Sequence, residues 1–151
     1  MPLYLADSSI WAWANKGNRP DIAERLADRL ERAEVATCAP VALEVMHRAE
    51  TSAQYEELYG ALLEPVEWLD LDVHGSRRAI EVQRELAARS HGNHRRPAVD
   101  YLIAATAEQA GEDVVLWFFD KDLRVICDHT GQSFEAEDST GPGTSSRPAD
   151  D

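Results

Sequence analysis

Residues 114–123 read VVLWFFDKDL, and the first six of them form the most continuous apolar run in the chain. A strand with no polar face belongs in the middle of a parallel sheet that is covered on both sides, so this run is the best candidate for a central strand. Three more short apolar runs read as strands: LYLA at 3–6, VATCA at 35–39 and VEWLDL at 66–71. Between the runs lie helical patterns. Asp21–Ala33 spaces Ile22, Leu26 and Leu30 four apart, Val41–Leu63 carries a broken helical repeat, and Val73–Ala88 places Ile80, Val82 and Leu86 near helical spacing. Val99–Ala110 is opened by Pro97 and closed by Gly111, and a short helix is expected through Leu123–Cys127. Parallel strands need long, usually helical crossovers, so the expected class is α/β: a central, mainly parallel sheet with helices on both faces.

A chain of 151 residues supports one ordinary domain, and 44% hydrophobic with 28% charged residues fits a globular protein. No apolar run approaches the ~20 residues that span a bilayer. Met1–Leu5 runs straight into Asp7 without the basic start and apolar stretch of a secretion signal, so a cytoplasmic protein is expected. Cys38 and Cys127 belong to no paired-cysteine motif and read as small buried apolar residues. From Glu137 onward, EDSTGPGTSSRPADD offers nothing apolar to anchor a core. The expectation is a folded domain over 1–136 followed by a disordered acidic tail over 137–151. The 28 acidic and 15 basic residues give a formal charge of −13, of which about −10 belongs to the body. Such a charge repels polyanions unless cations or local basic patches intervene.

The informative acids sit where a core would not want them. Asp7 ends the first strand, Glu44 lies in APVALEVM just after the second, and Asp100 shares a helix face with Ile103, Ala104 and Ala107. Asp120 and Asp122 flank Lys121 after the central strand. Each has a local explanation. Asp7 and one of the last pair can cap helices, while Glu44 and Asp100 can favour a helix dipole. Leu43, Val45 and Met46 crowd Glu44, leaving it little expected solvent, and a buried Asp100 needs a cation or a dense set of donors. All five fall near the carboxyl edge of the sheet, where open α/β sheets bind ligands. Like charges gathered there make sense if hard divalent cations neutralise them. Oxygen-only ligands favour Mg²⁺ or Mn²⁺ over zinc.

The densest basic stretch, RSHGNHRRP at 89–97, precedes the Asp100 helix, so Arg89, His91, His94, Arg95 and Arg96 could hold phosphates there; a solvated loop is the alternative. Lys16, Arg19 and Lys121 are weaker candidates of the same kind. Of the tryptophans, Trp117 and Trp68 are expected in the core, whereas Trp11 and Trp13 open a helix near Asp7 and could be partly exposed at a partner surface.

The segments LYLADSSIW, APVALEVMHRA, RPAVDYLIAATAEQAG and VVLWFFDKDLRVI, in that order, resemble the PIN domain, and more closely the VapC-type toxin ribonucleases of toxin–antitoxin pairs. The resemblance spans roughly residues 3–136. It implies a PIN-like fold and a Mg²⁺- or Mn²⁺-dependent endoribonuclease leaving a 5′-phosphate and a 3′-hydroxyl. It places the acidic cluster on Asp7, Glu44, Asp100 and Asp120, with Asp122 as an additional member and Ser9 as a small hydroxyl beside the first aspartate. Phe119 stands where relatives often carry a polar residue or histidine. The implied partners are RNA, a cognate antitoxin laid over the front helices, and a second copy in a homodimer. Two other readings stay open: a phospho-receiver domain, which also gathers acids at a sheet edge, and a catalytically silent acidic interaction domain.

Overall fold

The computed structural model describes residues 1–138 and the strand 142–145. The strands are β1 (Leu3–Ala6), β2 (Val35–Thr37), β3 (Glu67–Trp68), β4 (Val114–Phe118), β5 (Phe134–Glu137) and β6 (Pro142–Ser145). Their order across the sheet is β3-β2-β1-β4-β5-β6; β1 to β5 run parallel and β6 returns antiparallel to β5. The helices are α1 (Ser8–Lys16), α2 (Pro20–Glu31), α3 (Ala39–Met46), α4 (Ser52–Leu58), α5 (Val73–Arg89), α6 (Ala98–Ala110) and α7 (Lys121–Thr130). The expected α/β class and the central place of the 114–119 run hold, since β4 lies between β1 and β5 with Leu116, Trp117 and Phe118 fully buried.

Successive side chains of β4 point to opposite faces. Trp117 faces α2, where Arg25 and Arg29 lie over its ring, while Phe118 packs on Phe134, which Arg124 of α7 approaches from the other side. Helices therefore cover both faces. Within the described residues no helix is long and apolar enough to cross a membrane.

Several boundaries differ from the expectation. The 35–39 run stops at Thr37, because Cys38 serves as the N-cap of α3 and Pro40 sits in the first helical turn, where its missing N–H costs nothing. The 66–71 run shortens to the two-residue edge strand β3, and Trp68 is 40% exposed with its indole N–H donating to the Leu63 carbonyl at 3.0 Å. It is not a core residue. Trp11, expected near the surface, is buried, whereas Trp13 is half-buried and stacks on Phe119 at 4.8 Å. The broken 41–63 pattern resolves into the end of α3, α4 and a π-helical turn over Tyr59–Leu63. Both cysteines are buried and free, as expected.

The largest difference is at the start of the expected tail. Glu137 ends β5 and is buried, and Pro142–Ser145 extend the sheet as β6. A carboxylate is held there because Arg25 donates to it, Trp117 Nε1 donates at 3.0 Å and Arg19 approaches within 3.7 Å. These partners are distant in sequence, so apolar patterning along the chain could not show them. The rest of the expected tail, 139–141 and 146–151, lies outside the described residues.

Candidate metal centre

The strand order reverses direction around β1: β2 lies on one side and β4 on the other. A crevice forms outside the carboxyl ends of strands at such a switch point. Asp7 follows β1 and Asp120 follows β4, and the two segments are joined by the Asp7 amide donating to the Trp117 carbonyl at 2.8 Å. Both acids are also helix N-caps. Asp7 caps α1 through the Ser9 amide at 3.2 Å, and Asp120 caps α7 through the amides of Asp122 at 2.6 Å and Leu123 at 3.4 Å. Capping and clustering are thus compatible, because an N-cap carboxylate projects beyond the helix end toward the crevice.

Asp100 and Asp122 enter from the first turns of α6 and α7. One oxygen from each of Asp100, Asp120 and Asp122 lies within 4.8 Å of the others. Asp100 is 5% exposed and its Oδ2 is buried without any hydrogen-bond partner. Burial, reinforced by the charges of Asp120, Asp7, Asp122 and Glu44, pushes its carboxyl up to about 8. Asp7 is 3% exposed, and burial raises its carboxyl against the lowering effect of Ser9, with Asp120 adding to the rise. Glu44 is raised by partial enclosure and then by Asp7 and Asp120. Its surroundings are more open than its neighbours suggested: Glu44 and Leu43 are both exposed, because α3 turns that side toward solvent.

Other expected site residues are placed as follows. Ser9 Oγ donates to Asp7 at 2.6 Å and accepts from the Phe119 amide at 2.9 Å, so it orients the first aspartate and ties α1 to the end of β4. Arg96 is engaged within the protein: it donates to Asp122 at 2.7 Å and to Asn93 through two further N–H groups. Arg95 and Lys121 are exposed. Ser8, Arg48 and Asn93 were not singled out from sequence. Ser8 and the charge of Arg48 both oppose the rise at Glu44, and Arg48 donates to the Ser8 carbonyl at 3.3 Å. Nothing in their local sequence distinguishes them from ordinary surface residues.

Chemically, the pocket offers carboxylate oxygens and one buried acceptor with no donor. Hard cations such as Mg²⁺ and Mn²⁺ take this donor set, whereas zinc prefers nitrogen and sulfur ligands. The residues present fit such an ion.

A mainly parallel sheet with carboxylates converging at its switch point defines an α/β domain with a candidate cation site. The PIN domain model matches residues 4–128, and the chain belongs to the PIN domain family. Among its relatives, Ribonuclease VapC18 of Mycobacterium tuberculosis (strain ATCC 25618 / H37Rv) is 30% identical over 134 residues, covering 88% of this chain and 93% of the relative. Ribonuclease VapC51 of the same strain is 32% identical over 129 residues, covering 85% and 88%. The fold is shared with the DNA-bound VapBC crystal structure from Salmonella typhimurium, at TM-score 0.66 and 19% identity over 90% of this chain and 98% of that one. It is also shared with VapBC2 from Rickettsia felis bound to a promoter DNA fragment, at TM-score 0.66 and 19% identity over 90% and 99%.

Proposed function

We propose that this protein is a Mg²⁺- or Mn²⁺-dependent endoribonuclease, the toxin of a type II toxin–antitoxin pair. The observation that carries the reading is the buried, donorless Asp100 Oδ2 inside a group of three carboxylates within 4.8 Å. Named ribonucleases at 30% and 32% identity support the substrate class.

Asp7, Asp100, Asp120 and Asp122 would hold the metal. When bound, a divalent ion lowers the pKa of a coordinated water and stabilises charge on the attacked phosphate. Glu44, at the open side of the cleft, orients the attacking water, and its raised pKa suits it to take up a proton. Ser9 keeps Asp7 in place. Arg95 and Lys121 contact RNA phosphates beside the cleft, supplying the local positive charge that an acidic chain otherwise lacks.

The strand order disfavours a phospho-receiver, in which the doubly wound order is 2-1-3-4-5 and the first strand is expected to end in adjacent acids; here Asp7 is followed by Ser8. An antitoxin segment fits a groove of about 570 Å³ between α1, α2, the end of α3 and α4, walled by Trp11, Leu26, Leu30, Val45, Leu58 and Leu62. An arginine from that partner would complement the acidic cleft. The homodimer and the cytoplasmic setting rest on the resemblance, and sedimentation of the purified chain checks the former. The decisive test is an RNA digest with Mn²⁺ and with chelator. Cleavage that disappears with chelator and in Asp100→Asn supports the reading, and equal cleavage in chelator overturns it.

A further inference from the structure

Arg96 stands apart from the other basic residues of its loop. Its guanidinium is gripped twice by one neighbour, with Nε donating to the Asn93 carbonyl at 3.0 Å and Nη2 to Asn93 Oδ1 at 2.8 Å. Its third direction, Nη1, meets Asp122 Oδ1 at 2.7 Å. The Arg96 side chain is only 15% exposed, against 25% for Asp122. The loop carrying it is tied down beside the cleft, since Tyr101, next to Asp100 on α6, donates its hydroxyl to the His94 carbonyl at 2.8 Å.

A planar fork held at two points presents its remaining N–H in one direction, which a lysine cannot do. Asp122 supplies one of the three clustered oxygens while another of its lone pairs is occupied by Arg96. Groups that hydrogen-bond a metal-ligating carboxylate fix its orientation, and losing them typically costs about 10–100-fold in metal affinity. We propose that Arg96, braced by Asn93, is a positioning residue that aims Asp122 into the metal centre and is not a contact to RNA. This rests on the metal-dependent reading above.

The two roles of Arg96 differ in sign. A mere charge beside the site would weaken cation binding, so its removal would tighten Mn²⁺; a brace would do the opposite. The experiment titrates Mn²⁺ into the full chain by electron paramagnetic resonance, for wild type, Arg96→Lys, Arg96→Ala and Asn93→Ala, with thermal melts to confirm folding. Arg96→Lys keeps the charge and loses the fork, and it is expected to weaken Mn²⁺ binding about tenfold. Asn93→Ala, which removes one of the two grips on the guanidinium and no carboxylate, is expected to weaken it several-fold. On RNA, the expected change at saturating Mn²⁺ is in kcat, with KM unchanged. Unaltered or tighter Mn²⁺ binding in Arg96→Lys and Asn93→Ala overturns the proposal, as does a rise in KM alone. If the wild-type chain binds no Mn²⁺, the metal-dependent reading falls with it; if wild type binds and the variants match it, only the role of Arg96 falls.

Discussion

Two regions of this molecule bury carboxylates, and they do so under opposite terms. Along β5, between β4 and β6, Glu135 and Glu137 lie against α2, which meets them with Arg25 and Arg29, while Arg19 and the Trp117 indole also approach Glu137. At the switch point between β1 and β4, Asp7 and Asp100 are equally buried, yet the neighbouring charges that act on Asp100 are all acids. One arginine, Arg96, reaches the rim of that cluster at Asp122. Burial alone therefore says little about function. A carboxylate with its arginines already in place is part of the scaffold, whereas one surrounded by like charge leaves the folded protein short of a cation.

The largest expected effect tests that contrast directly. Asp100→Asn removes a proposed metal ligand and should lower RNA cleavage by roughly 10²–10³-fold, the scale of several kcal/mol of transition-state stabilisation. In chelator at pH 8 the same variant should melt at a higher temperature than wild type, because it no longer carries a buried, repelled charge. A lower or equal melting temperature would mean the cluster is not strained.

Next in size, Glu137→Ala should destabilise the fold by about 2–4 kcal/mol, since it strands partly buried arginines, and should leave Mn²⁺ affinity unchanged. A denaturant titration reads the first and a Mn²⁺ titration the second. Loss of Mn²⁺ binding in a folded Glu137→Ala chain would erase the distinction between the two regions.

A pH series sharpens it further. Asp100 has a folded pKa of about 8, above its unfolded value, and Asp7 and Glu44 shift in the same direction. Their contribution is fully present below the unfolded carboxylate range near pH 4 and is lost as pH rises through the folded values. The metal-free protein should therefore melt several degrees lower at pH 8 than at pH 5, and Mn²⁺ should restore stability at pH 8 far more than at pH 5. Asp21 is lowered by Arg19 and loses its contribution only as pH falls through its folded pKa, below this window. A Mn²⁺ shift that does not depend on pH would contradict the account.

The smallest effect belongs to the scaffold. The Arg29 guanidinium lies 3.7 Å from the Tyr4 ring centre and 4.3 Å from that of Trp117. Arg29→Lys keeps the charge but loses the planar stack, and about 0.5–1 kcal/mol of stability should go with it.

Patterning along the chain was enough for the strands that pass through the core. Leu3–Ala6 and Val114–Phe118 carry the buried Leu5, Ala6, Leu116, Trp117 and Phe118 within short apolar runs, and hydrophobic runs report such strands directly. The same logic overextended β3, whose real extent is set by pairing with Ala36 and Thr37 and not by its own side chains. It missed β5 because Phe134–Glu137 alternates apolar and acidic residues, and both acids, the buried Glu137 and the half-buried Glu135, are met by arginines from α2. At the site, the approach of Asp100, Asp120 and Asp122 to one another was legible from their places after a strand and in first helical turns. The engagement of Arg96 with Asp122 was not, because a hydrogen bond across 26 residues leaves no trace in local composition.

The residues alone settled the class of fold, the central strand and which carboxylates sit at the sheet's carboxyl edge, since all three follow from short-range periodicity and from the polarity of single positions. Only the folded arrangement decided which acids are matched by arginines and which are left facing one another. That outcome depends on contacts between segments far apart in the chain, and electrostatic energy in a protein interior is set by those distances and not by sequence order.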